Sequence, residues 1–213
     1  MTQQQTLTAR QQAILPVGAF MSSGDMPRLH TALGQGLDAG LTVAEIKEIL
    51  VQLYAYAGFP RSLNALGTFM NVLKEREARG VQDASGRAPG PLPAPEKMRE
   101  VGRANQTRLA GAPVTGPLFD FAPLANEYLQ AHLFGPMFSR DNLNWQDREL
   151  ATVGALAGLQ GVDSQLQAHM RISLNTGLTA SQLRQAAEVL RTQVDDAAGQ
   201  RAHAALERQL AAD

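Results

Sequence analysis

The chain has 213 residues, 44% hydrophobic and 18% charged, so there is room for one large domain or two small ones and enough apolar material for a packed core. Its 19 Lys and Arg against 20 Asp and Glu leave a net charge of -1, which argues against a nucleic-acid partner, since such partners need a clustered basic surface. It has no cysteine and only 4 histidines, which removes disulfides, thiolate nucleophiles and thiolate metal sites and disfavours a histidine-rich metal centre.

The N-terminus, MTQQQTLTAR, has neither a basic start nor an apolar core and does not read as a signal peptide. The longest apolar run, AILPVGAFM, falls far short of the roughly 20 residues that span a bilayer. No membrane partner is expected, and the expected location is cytoplasmic.

The chain resembles itself. Residues 29–50 align without a gap on 166–187, pairing Leu29 with Leu166, Leu37 with Leu174, Gly40 with Gly177, Leu41 with Leu178 and Thr42 with Thr179. Upstream, after a one-residue gap, Arg10 falls on Arg148, Ala13 on Ala151 and Ala19 on Ala157. Each copy reads as at least three helices. One ends near Ser22 or Gln160 and a second stops at Gly40 or Gly177, where glycine suits a left-handed cap. A third opens at Thr42 or Thr179 with Glu45 or Gln182 three residues on, a capping box. In the first copy the turn Gly58-Phe59-Pro60 starts a fourth, running to about Arg76.

Residues 80–95 are rich in Pro and Gly and read as an extended linker. Beyond it, MREVGRANQTRLAG predicts one helix and FDFAPLANEYLQAHLFGPMF a second with an aromatic end. No segment alternates with the two-residue period of a strand, so the expected class is all-α. The expected division is a first unit at 1–79, a linker at 80–95 and a second unit with its helical lead-in at 96–213.

YAYAGFPRSLNAL at 54–66 resembles the closing motif of the carboxymuconolactone decarboxylase family, and 145–179 resembles its central helical pair. VGRANQTRLAG and HLFGPMFSRDNL are similar to its lead-in. The resemblance implies two tandem helical domains of the carboxymuconolactone decarboxylase and alkylhydroperoxidase-D-like type. It also implies a cofactor-free decarboxylase or lactone-processing enzyme, without a metal, acting on a small carboxylated molecule. The peroxidases of this superfamily carry a CxxC before the histidine. Here those positions hold Val162 and Gln165, neither of which forms a thiolate. Hydroperoxide turnover coupled to a dithiol is therefore expected at background, and enzyme-like rates free of contaminating metal would contradict this.

On that resemblance, His169 is the candidate general acid or base, with Glu149 as its catalytic companion and Arg171, Arg148 and Gln165 as substrate-binding candidates. Around a short antiparallel turn at Gly161, Glu149 and His169 are expected at levels several ångströms apart. The first copy has Ala32 where the second has His169, and His30, two residues away, faces elsewhere. Tyr54, Tyr56, Arg61 and Asn64 are candidates for lining a neighbouring pocket. The pattern also fits a non-catalytic scaffold or ligand-binding relative, which a solvated His169 would favour. Helices such as 42–57 are apolar around most of their girth, and single-domain relatives form rings of three or six. A homo-oligomer is therefore expected, a trimer ahead of a dimer or of a monomer whose 96–144 segment covers the apolar face.

Overall fold

The computed structural model describes residues 6–212. Every regular element among them is helical, and none is long and apolar enough to cross a membrane. The first half holds α1 (Ala9–Ser23), α2 (Met26–Asp38), α3 (Val43–Gln52), the single turn α4 (Tyr54–Ala57) and α5 (Phe59–Ala78). The second holds α6 (Met98–Ala110), α7 (Pro117–Phe121), α8 (Pro123–Tyr128), a π-helical segment Leu129–Met137, α9 (Trp145–Ala157), α10 (Asp163–Asn175), α11 (Ala180–Gln193) and α12 (Asp196–Leu210).

The helix boundaries follow local chemistry. Thr42 with Glu45 and Thr179 with Gln182 each form a complete capping box at the start of α3 and α11. Gly40 and Gly177, just past α2 and α10, have φ of 97° and 99°, which a side chain would oppose. The turn at Gly58 opens α5 with Pro60 in its first turn.

The centre of the molecule is the crossing of α1 and α9, where backbones touch. A Cβ at Gly154 would lie 2.4 Å from the Leu15 carbonyl, and one at Gly18 would lie 2.4 Å from that of Ala151. Ser22 donates its hydroxyl to the Ala155 carbonyl across the same seam at 2.7 Å. Small residues at these positions let two buried helices meet at a separation that larger side chains forbid. Ile14, Leu15, Val17, Ile46, Ile49 and Leu50 from the first half then share one apolar core with Leu150, Val153, Leu166, Leu183, Leu190 and Leu206 from the second.

The segment 80–95 contains no α-helix, and it is pinned along its length. Val43 and Ala44 donate their N–H groups to the carbonyls of Ala84 and Ser85, at 2.9 and 3.0 Å. Arg76 grips Asp83 through Nε and Nη2, and Asp141 accepts from the Gly90 N–H at 2.8 Å.

The stretch expected to form one helix over 119–138 is broken instead. Pro123 forces Ala122 into an extended conformation (φ -131°, ψ 70°), which ends α7 and starts α8. Pro136, lacking an N–H, then sits in the widened π turns. Those turns press on α6, where a Cβ at Gly102 would come 1.9 Å from the Gln130 carbonyl. Asn105 supplies a donor to the Phe134 carbonyl at 2.8 Å. The deformation is thus set by a tertiary contact and by two prolines together.

Candidate active site

α9 is buried on all sides from Asp147 to Ala157, so each polar side chain on it must find a partner inside the protein. Glu149, with no exposed surface, finds His169 on α10. Its Oε2 lies 2.7 Å from the imidazole Nδ1, and His169 itself is 8% exposed. The two residues are in direct contact, contrary to the offset expected from their places around the turn. Counted from a turn centred near residue 160, they differ by about two residues, or roughly 3 Å of helix rise, and an extended glutamate spans that. A carboxylate accepts, so this contact favours the tautomer that carries its proton on Nδ1 and leaves Nε2 with a lone pair. Nε2 has no hydrogen-bond partner among the described residues.

Tyr56 reaches this pair from α4, on the other half of the chain. Its ring stands edge-on to the imidazole, with centroids 5.3 Å apart at 78°. Its hydroxyl is buried with no hydrogen bond of ordinary geometry, Thr152 being the side chain whose hydrogen bonding bears on it. Burial, and then the nearby Glu149 carboxylate, push its pKa far above the usual tyrosine value despite an opposing influence from Thr152, so it stays a neutral phenol. Two more buried polar atoms here lack partners, Glu149 Oε1 and the hydroxyl of Ser173, which is one turn beyond His169 on α10. Beside them lies a small apolar cluster of Leu109, Leu133, Phe134, Phe138 and Ile172, against which Tyr56 and Trp145 pack.

The other candidates fall elsewhere. Arg148 is completely buried and its guanidinium is engaged internally. Nη1 donates to Gln52 Oε1 at 2.9 Å, and Nη2 to Glu48 Oε2 at 3.2 Å and to the Arg140 carbonyl at 2.9 Å. Desolvation lowers its pKa against the opposing pull of Glu48. Arg171 is exposed and pairs with no described residue. It is two residues from His169, about 200° around the helix. Gln165 lies one turn before His169 on the same face, exposed, accepting from the Ser164 hydroxyl at 3.0 Å. His30 is on the surface, 3.0 Å from Glu75. Tyr54 stacks on Phe59 at 4.4 Å and takes no part in the His169 contact.

A cavity of about 530 Å³ opens between α1 and α2, lined by Gln12, Pro16, Phe20, Ala32 and Gln193 among others. It contains Ala32, the residue aligned with His169, but neither His169 nor Glu149.

The described residues are all-helical in their regular elements and bring a buried carboxylate against an imidazole. The carboxymuconolactone decarboxylase family model matches residues 123–208, from α8 into α12, so this part of the chain is similar to that family. No curated protein matches the chain.

Proposed function

We propose that the chain is a cofactor-free decarboxylase or lactone-processing enzyme acting on a small carboxylated substrate, with His169 as its general acid or base. The observation that carries this reading is the 2.7 Å contact between His169 Nδ1 and the buried Glu149 carboxylate. Glu149 fixes the ring and stabilises the imidazolium, while Nε2 is left for the reacting atom. In a decarboxylation the bond to the departing carboxylate breaks and its electron pair becomes an enolate. The carboxylate departs as CO₂, and the enolate carbon takes a proton that Nε2 has first acquired from solvent, which returns the ring to its neutral form with the proton on Nδ1.

A non-catalytic ligand-binding or scaffold role is the second reading. It is favoured by the engagement of Arg148 with Glu48 and Gln52 and by the exposed position of Arg171, which leave neither candidate arginine at His169 for a substrate carboxylate. A screen of carboxylated lactones and β-keto acids for CO₂ release or ring opening separates the two. Turnover by the wild type supports the enzyme, and none across the set leaves the scaffold.

We read the halves as tandem copies of one helical unit, divided at 80–95. The support is the alignment of 29–50 with 166–187 and the matching glycine stops and capping boxes. We also read the chain as a self-associating protein, a trimer first. Phe59, Leu63 and Met70 on α5, and Leu118, Phe121, Leu124 and Tyr128 on α7 and α8, leave large apolar side chains in solvent. Light scattering at micromolar concentration is expected to give about three chain masses, and a single chain mass contradicts it.

A further inference from the structure

The cavity between α1 and α2 holds neither His169 nor Glu149, yet it occupies a place that the second half of the chain fills. Ala13, Pro16 and Phe20 line it from α1, and Thr31, Ala32 and Gln35 from α2, each set repeating at helical spacing. Ala32 aligns with His169, whose ring meets Glu149, so a methyl group stands here in place of an imidazole. Pro16 and Phe20 align with Gly154 and Gly158, which α1 covers closely. A Cβ at those glycines would lie 2.4 and 2.7 Å from the Leu15 and Ala19 carbonyls. The corresponding stripe of α1 borders the cavity instead. At about 530 Å³, the cavity is within the size range of small-molecule sites. Its floor is apolar, since Pro16, Phe20 and Ala32 are buried. Its rim is polar: Thr31, Gln35 and Gln193 are exposed, and their side chains bond to no described residue. Among the described residues no carboxylate lines it, and the guanidinium that does, from Arg28, is already engaged. Its Nη2 donates to the carbonyls of Gln193 and Val194, and its Nη1 lies 3.8 Å from Asp25. The group also stands 4.3 Å over the Phe20 ring.

We propose that this cavity binds a small neutral molecule with an apolar body and a hydroxyl or carbonyl group, at a site separate from His169. The body rests on Pro16, Phe20 and Ala32, where its removal from water supplies the attraction. The polar group meets Thr31, Gln35 and Gln193, whose hydroxyl and amides both donate and accept. An anion finds no free cation here and a cation finds no carboxylate, so either would give up hydration without a matching return. Binding at this site is independent of turnover at His169.

Phenol is the test compound and benzoate its charged counterpart, each titrated into the full chain and followed by NMR through the methyl groups of Ala13 and Ala32. Phenol is expected to shift both methyl signals saturably, with a dissociation constant of about a millimolar, an ordinary value for so few atoms. Benzoate is expected to bind at least about tenfold more weakly, because its charge goes uncompensated. Ala32→Leu, which fills the floor, is expected to weaken phenol binding by about tenfold or more. Gln35→Ala, an exposed change that leaves the core intact, is expected to weaken it by about fivefold, the worth of one hydrogen bond. The proposal is overturned if phenol does not saturate, if its shifts gather elsewhere, or if benzoate binds as tightly. Unchanged phenol binding by Gln35→Ala and a folded Ala32→Leu overturns it as well. So does a failure of phenol to bind while Ala32→Leu lowers the mass seen by light scattering, since the cavity is then a contact between copies.

Discussion

Glu48→Gln is expected to cost about 3–5 kcal/mol of stability, the usual penalty for leaving a buried charge without its partner. Glu48 accepts from Arg140 Nε at 2.9 Å and Nη2 at 2.6 Å, and from Arg148 Nη2 at 3.2 Å. Arg148 has no exposed surface, and its Nε is already unpartnered. Without the carboxylate, the buried Arg148 guanidinium keeps only Gln52 and the Arg140 carbonyl as partners, while the half-buried Arg140 loses its carboxylate too. The figure measures the cost of the orphaned charge and says little about the net worth of the network. Urea unfolding at neutral pH checks it, and a loss below about 1 kcal/mol contradicts the reading. At the exposed pair of Glu188 and Arg191, by contrast, the same substitution is expected to move the midpoint little.

The same carboxylate predicts an acid limit. Burial raises the pKa of Glu48, but the hydrogen bonds and charges of Arg140 and Arg148 outweigh it and hold the group below its ordinary value. A depressed folded-state pKa means the stabilisation is complete above the unfolded value of about 4.3 and is lost as the pH falls through the folded one. The wild type should therefore weaken below about pH 4, and Glu48→Gln should show a shallower acid slope.

His169→Ala is expected to lower the rate on any substrate found by about 10²–10⁴-fold. His30→Ala, at a surface pair with Glu75, should leave the rate unchanged. Because the alanine variant also strands the buried Glu149 carboxylate, His169→Asn, whose amide stands where Nδ1 does and can still donate to it, separates lost chemistry from lost packing. A general acid–base role requires both variants to be slow, and equal losses at His30 and His169, or none at either, would sink it.

The helix ends were legible in the sequence because their causes are local. A glycine with φ near 100° and a threonine bonded three residues ahead act within one turn, so Gly40, Thr42, Gly177 and Thr179 could be read without the rest of the molecule. His169 and Glu149 could be named from the family resemblance, but their contact depends on how α9 and α10 lie together. The direction of Arg148 depends on α3, and no pattern within 145–157 announces Glu48 as its partner. Nothing around Tyr56 in the sequence announces it as a neighbour of His169, which is 113 positions away by subtraction of their residue numbers. Ser173 carried no signal, being one serine in an ordinary helical run. The π turns escaped for a similar reason, since they answer to Gly102 on another helix.

The backbone seam between α1 and α9 limits how far the protein can be taken apart. Residues 123–208 carry the family likeness, yet their central helix is shaped to lie on a helix outside that span. Gly154 is small because Leu15 is there, and an excised 96–213 would expose a glycine- and alanine-lined groove that no water can fill favourably. The first half is in this sense a permanently tethered template for the second. A side chain added at Gly18 or Gly154 would meet backbone on the opposite helix, so either change requires the two helices to move apart.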